Sequence, residues 1–445
     1  MATNGQPGGA GGRLRELMRS DTGRAGGMAV AVIVGNVIAL ALTVVFARVL
    51  HAKGYGSFSA LMSTFIILMV PGTALQTTVA REVSAEIARG EPNPGAAVRT
   101  WLERLAMLVV AVAIVSALGR NVLAAIIGVR DVPWAAAATL PTGCLWWMVC
   151  VERGALQGFQ RYRMVGGSII GEQVSRLVFG LVLVGAGLGV TGAFLGSPLS
   201  LMAVIAGLSV PLGRQITMTG AGEHGNPLLE LVSRAWAPVL ALGLVAWLQD
   251  GHVIIVKHLV SGRQAGAWSA AAVAAKSVIW VAVGVSLYLV PETARRARGG
   301  EDARPILLRT IGLIGLLGLP AVLIFAAAAE PLLRIVFGEK FTSSASALPF
   351  LGLAMTLLAA TYLAVQYKLA LHQARFIGLL AVAAVVQPLV LLAIGPHLTG
   401  IALGILAVQA ALAATMLLLA FRVPGTMGHD FEEDEAAELV LTETS

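Results

Sequence analysis

The chain has 445 residues, of which 57% are hydrophobic and only 12% charged, with a mean hydropathy of +0.83. A soluble domain carries about 25% charged residues, so this sequence has too little polar surface to face water, and lipid is its natural solvent. The apolar runs are long and continuous, which argues against a membrane β-barrel, whose strands alternate apolar and polar residues in segments of about ten. The net charge of +7 does not point to nucleic acid. The basic residues fall mostly between the apolar runs, where the positive-inside rule puts them, and the acidic residues gather at the C-terminus.

At about twenty apolar residues per crossing, the sequence predicts an all-α integral membrane protein with about twelve transmembrane helices. The spans fall near 28–49, 57–79, 99–118, 133–152, 164–187, 190–210, 235–257, 265–290, 306–328, 346–369, 375–395 and 398–421. The first follows Arg13, Arg15, Arg19 and Arg24 and reads as a signal anchor rather than a cleaved leader. The stretch from Asn121 to Val129 reads as an interfacial piece, and only Gly189, Thr191 and Gly192 divide the fifth span from the sixth. Cys144 and Cys150 share one span at a spacing that fits no zinc or redox motif, and read as small buried hydrophobes. Pro71, Pro141, Pro238, Pro320, Pro349 and Pro388 lie inside spans, where each permits a kink.

Twenty-one of the 31 Lys and Arg residues fall on the side of the N-terminus, eight on the opposite side, and two, Arg176 and Lys276, inside spans. That asymmetry predicts an inner-membrane protein with both termini in the cytoplasm. The organisation expected is a Gly/Arg-rich cytoplasmic tail (1–27), a six-helix lobe (28–210), a cytoplasmic linker (211–234), a second six-helix lobe (235–421) and an acidic cytoplasmic tail (422–445).

The halves share a pattern. Gly56-Ser57-Phe58-Ser59-Ala60 opens the second span, and Gly266-Ala267-Trp268-Ser269-Ala270 opens the eighth. Arg48 stands eight residues before the first and Lys257 nine before the second, each at the outer end of its helix. Repeats of six spans have the same orientation, which implies two lobes related by a pseudo-two-fold axis along the membrane normal, with a central cavity.

A charge at the bilayer centre is costly, by about 2.5–3.5 kcal/mol or more, and is expected to face a partner or a wet cavity. Glu172 and Arg176 are four apart in the fifth span, on one helix face; they form either a self-neutralising pair or part of a site. Lys276 has no acid at helical spacing in its own span, so its partner comes from elsewhere or it lines a cavity. Asp250 lies in the outer half of the seventh span as a charge partner or a helix-end residue. Arg48 and Lys257 could snorkel to the interface, but their matching places in the repeat favour a shared role. The embedded charges lean positive. Arg and Lys suit phosphate or pyrophosphate, whereas a cavity for cationic drugs would lean acidic. No Walker A loop, zinc motif, G-x-S-x-G elbow or large catalytic domain is legible, so the sequence suggests no enzyme, no catalytic residues, no metal site and no cofactor.

Two segments carry a family resemblance. Ala47-Arg48-Val49-Leu50-His51-Ala52-Lys53-Gly54-Tyr55-Gly56 resembles the A-R-x-L-G-x-x-x-Y-G signature of polysaccharide flippases, with His51 where the family has glycine. Arg153-Gly154-Ala155-Leu156-Gln157-Gly158-Phe159-Gln160-Arg161-Tyr162 resembles their R-G-x-L-Q-G-x-x-R-[FY] segment. Asp250 through Gly266, and Pro291-Glu292, are similar to the family's second half. The resemblance covers Met28 to about Arg422 and implies the multidrug/oligosaccharidyl-lipid/polysaccharide (MOP) exporter superfamily, with two six-helix lobes and alternating access. About twelve spans argue against the related lipid II flippases, which usually have fourteen.

What the resemblance implies is a flippase for oligosaccharide linked to polyprenyl pyrophosphate. Arg48 would belong to its cavity-facing basic set, with Asp250 and Lys257 at the matching place in the second lobe; Arg176, Lys276 and Glu172 are added from the burial argument, with Glu172 and Asp250 as coupling groups or charge partners. The partners expected are the lipid-linked oligosaccharide, membrane lipid, and a glycan polymerase or glycosyltransferases, with no nucleic acid. The alternatives are a drug/cation antiporter of the same superfamily, a non-transporting scaffold for cell-wall enzymes, and a membrane glycosyltransferase.

Overall fold

The computed structural model describes residues 21–216 and 236–422. The basic residues Arg13, Arg15 and Arg19, most of the expected 211–234 linker and nearly all of the acidic tail lie outside those residues. Every regular element among the described residues is helical. Ten segments are long and apolar enough to cross a membrane. Two of them, Val30–Ala88 with 59 residues and Tyr162–Gly213 with 52, are each long enough for two crossings at about 1.5 Å per residue and a core of about 30 Å. Counting each of these as a pair brings the ten segments to the expected twelve.

The first of the long segments belongs to α1 (Asp21–Ala88), which is broken at His51 with φ 55° and ψ 175°. The gap between the first two expected spans, 28–49 and 57–79, is therefore a single-residue break, and the helix resumes at once. That backbone region is open almost solely to glycine and costs other residues on the order of 1–3 kcal/mol, which gives a physical reason for the glycine in the signature that His51 departs from. The His51 side chain is exposed. His51→Gly should therefore raise stability by about 1 kcal/mol, read as a higher unfolding midpoint in detergent. An unchanged or lower midpoint would show that the break carries no strain.

The chain falls into two compact units. The first comprises, of the described residues, 21–45, 71–119 and 137–216. It contains both ends of α1, α2 (Ala96–Leu118), most of α4 (Pro133–Gly158), α5 (Tyr162–Leu183), a π-turn (Val184–Leu188) and α6 (Gly189–Gly213). Helices α5 and α6 form a hairpin that reverses at Gly187 (φ 89°) and Gly189 (φ 50°), close to the division read from glycines in the sequence. They pack backbone to backbone, since a Cβ on Gly196 would stand 2.7 Å from Gly180 N. Without water to drive helices together, such small-residue contacts supply the packing. In α4, Gly154 and Gly158 face α1 in the same way: a Cβ on Gly158 would lie 2.7 Å from Val83 Cβ, and one on Gly154 would meet the Gln76 carbonyl.

The second unit comprises 46–70, 120–136 and 236–422. It includes the short α3 (Arg120–Ile127), the piece expected at the interface, where His258 Nε2 lies 2.9 Å from the Ile126 carbonyl. Then follow α7 (Trp236–Leu259), α8 (Gly262–Ala275), α9 (Ser277–Arg298), α10 (Arg304–Val336), a 3-10 turn (Glu339–Ala347), α11 (Leu348–Ala370), α12 (Ile377–Ile394) and α13 (Leu398–Arg422). The eighth span, expected as one helix over 265–290, is broken between α8 and α9 at Lys276. Helix α11 is buried on most sides and packs on α9, α10 and α13. Helices α7, α12 and α13 are joined by polar side chains inside the apolar packing. Gln409 donates to Gln387 (2.8 Å), which donates to the Leu248 carbonyl (3.1 Å). A buried amide that finds its partners is stabilising, whereas an unpaired one is costly.

Candidate buried charge sites

Among the described residues, each unit holds one buried ionic cluster. In the first, Glu172 on α5 receives two guanidinium groups. Arg153 Nη2 on α4 donates to Glu172 Oε2 at 2.9 Å, and Arg176 Nη2 one turn along α5 donates to Glu172 Oε1. All three side chains are at most 8% exposed. Arg153 is fixed further by Ser168 Oγ at 2.9 Å and by the Trp146 ring, 5.4 Å from its Cζ. Two cations thus share one carboxylate, which leaves a local positive excess.

The pair read from the sequence is therefore a trio. The fourth span is expected to end at 152, which leaves Arg153 just beyond it, but α4 continues to Gly158 and carries Glu152 and Arg153 within the helix. The R-G-x-L-Q-G resemblance gains a physical content here. Its arginine enters the ionic trio, and its two glycines, four apart, are the surface that α1 packs against.

In the second unit, Lys276 Nζ donates to Asp250 Oδ1. Asp250 also accepts from Ser63 Oγ (3.2 Å) and from Gln249 Nε2 (3.0 Å). Asp250 is fully buried within α7 and Lys276 is 8% exposed. The acid partner that Lys276 lacked in its own span thus comes from the preceding one, and Asp250 is a buried partner rather than an interfacial helix-end residue. Lys276 sits where α8 gives way to α9. Nearby, fully buried His252 accepts from Trp268 Nε1 at 3.1 Å. Neither His252 nor Ser63 stood out in the sequence, because a lone histidine or serine in an apolar run has no spacing signal.

Arg48 and Lys257 occupy different settings. Arg48 is exposed and donates to the carbonyls of Ile335 (2.7 Å) and Val336 (3.2 and 3.3 Å). It caps the last turn of α10, where orphan carbonyls and the negative end of the helix dipole favour a cation. Lys257 is half-buried, with Asp131 and Lys53 as its charged neighbours. The two repeat segments do meet within this unit: a Cβ on Gly56 would stand 2.9 Å from Gly266 N, and one on Gly266 would land on the Ala52 carbonyl. Cys144 and Cys150 are buried free thiols.

A family model described as "Polysaccharide biosynthesis protein" matches residues 105–346, a stretch that holds Arg153, Glu172, Arg176, Asp250 and Lys276. No curated protein sequence matches significantly. Among solved structures, an inward-facing multidrug resistance MATE family transporter of the MOP superfamily superposes with a TM-score of 0.71 at 14% identity, over 87% of this chain and 94% of that one. The lipid II flippase MurJ, in an inward closed conformation, gives 0.68 at 13% identity over 89% and 87%. The eukaryotic MATE transporter AtDTX14 gives 0.63 at 16% identity over 94% and 97%. At these identities the likeness establishes the fold, and it is the all-helical MOP fold that the sequence resemblance implies.

Proposed function

This chain belongs to the polysaccharide biosynthesis protein family, and from that we propose that it translocates an oligosaccharide linked to polyprenyl pyrophosphate across the cytoplasmic membrane for cell-surface polysaccharide synthesis. The observation that carries this reading is the family match on a multi-pass fold shared with membrane transporters and a lipid II flippase. The protein breaks no bond in this reading. It opens its site to one face of the membrane and then to the other, with both termini in the cytoplasm and a six-helix lobe on either side of the 211–234 linker. A glycan polymerase or glycosyltransferases would supply the lipid-linked substrate or take it up.

The chemistry follows from the two clusters. A pyrophosphate competes with carboxylates for guanidinium and ammonium groups, and paired N–H donors fit phosphate oxygens. Each unit by itself offers basic groups proposed to bind phosphate oxygens: Arg176 in the first, and in the second Lys276, with Arg48 and Lys257 toward the outer ends of their helices. Glu172 and Asp250 hold Arg176 and Lys276 in position and screen them while the site is empty.

The test is complementation in a strain lacking this protein, using Arg176→Ala and the paired change Asp250→Asn with Lys276→Met. The paired change removes both charges together and so leaves neither buried alone. The expected result is loss of surface glycan with accumulation of the polyprenyl-linked precursor in the inner leaflet, at normal protein level. Full surface glycan without accumulation would overturn the reading and bring the drug/cation antiporter forward.

A further inference from the structure

The carboxyl group of Glu152 has no part in the charge clusters just described. It lies in α4, fully buried, next to Arg153 in sequence but turned toward α6 rather than toward Glu172. Its Oε1 stands 2.8 Å from Ser209 Oγ, while its Oε2 has no hydrogen-bond partner among the described residues. Ser209 Oγ is also 2.8 Å from the Ile205 carbonyl. A hydroxyl has one proton to give, and a carbonyl can only accept. If the Ser209 proton serves the Ile205 carbonyl, the contact to Glu152 takes its proton from Glu152 itself, whose O–H donates to the serine oxygen. If Glu152 loses that proton, the Ser209 hydroxyl can turn and donate to the carboxylate instead. The site thus accommodates both forms with one rotation of a hydroxyl.

From this geometry we propose that Glu152 is a proton-binding site, exchanging a proton within the transport cycle. Glu172 pairs with both Arg153 and Arg176, so each of its oxygens already has a donor. Glu152 has a different set of neighbours. The charged group acting on it is Arg153 on its own helix, which itself pairs with Glu172 of α5. From α6 it meets Ser209, and the one charged residue of the following turn, Arg214, is exposed. On α1, Arg81 is exposed, Glu82 pairs with Arg89, and Glu86 accepts from the Gly95 N–H. None of these satisfies Glu152 Oε2.

The consequence is electrostatic. With Glu152 protonated, the surrounding set of Arg153, Glu172 and Arg176 carries one net positive charge; with Glu152 ionised, the four sum to zero. Proton occupancy would thus set how strongly this part of the protein attracts an anion. That consequence rests on the translocation reading, whereas proton binding does not.

The experiment is infrared difference spectroscopy on the full-length protein in lipid bilayers as the pH is stepped. The wild type is expected to show a protonated-carboxyl C=O band that disappears as the pH rises. Glu152→Gln, which keeps the shape and the hydrogen-bonding capacity, is expected to abolish that band, and Glu152→Asp to restore one. Ser209→Ala is expected to shift its frequency without removing it, since the partner of the O–H is gone. A band that survives in Glu152→Gln, or a wild-type spectrum without one, overturns the proposal. Because no substrate is present, a failed complementation test leaves this outcome unaffected.

Discussion

Replacing Glu172 by alanine is expected to destabilise the protein by about 3–5 kcal/mol, the cost of leaving a buried charge without its partner. The change removes the carboxylate with which both Arg153 and Arg176 pair. The measurement is equilibrium unfolding in detergent followed by tryptophan fluorescence. Arg153→Met with Glu172→Leu and Arg176→Met together should recover most of the loss, since apolar groups of similar volume replace a buried ionic set at little cost. A loss below about 1 kcal/mol for Glu172→Ala would mean that water reaches the cluster and screens it as it screens surface pairs.

The second large effect is steric. Gly266→Ala adds one methyl group, and that methyl would fall on the Ala52 carbonyl. The obstacle is backbone, so no side-chain rotation relieves it, and the helices must separate. Overpacking typically costs about 1–3 kcal/mol and occasionally more; here the upper part of that range or beyond is expected. Gly284→Ala provides the internal control. Nothing lies within 4 Å of the methyl that it would add, and alanine is the better helix former by about 1 kcal/mol. Unfolding midpoints should therefore move in opposite directions for the two variants, and equal midpoints would remove the close approach from the argument.

The spans were legible because hydrophobic length reports directly on a solvent about 30 Å thick. Arg120 to Ile127 could be set apart from the crossings because eight residues are too few to cross. The ends were less legible. Arg153 fell just beyond the expected fourth span, since charge is what usually ends an apolar run, yet the helix continues past it and its guanidinium is paired with Glu172. Lys276 with Asp250 shows the other limit. Their 26-residue separation follows no helical period, so each could be flagged as a charge in the wrong solvent but not paired. The family resemblance implied a cavity-facing Arg48, and its hydrogen bonds to Ile335 and Val336 could not be foreseen, because the acceptors are backbone carbonyls. The Glu152 site was invisible for a related reason: its signal is a count of protons around one hydroxyl.

The crossing of Gly56 and Gly266 constrains how the two halves of this sequence can change. A segment that packs on its own copy is under the rule of a symmetric interface, in which the same patch is both surface and counter-surface. Enlarging the residue at either position closes the gap from one side, and enlarging both closes it from two. Neither copy is free to drift on its own at this point, since each is the mould of the other. The five-residue echo at 56–60 and 266–270 opens in each copy on the glycine that makes this close approach.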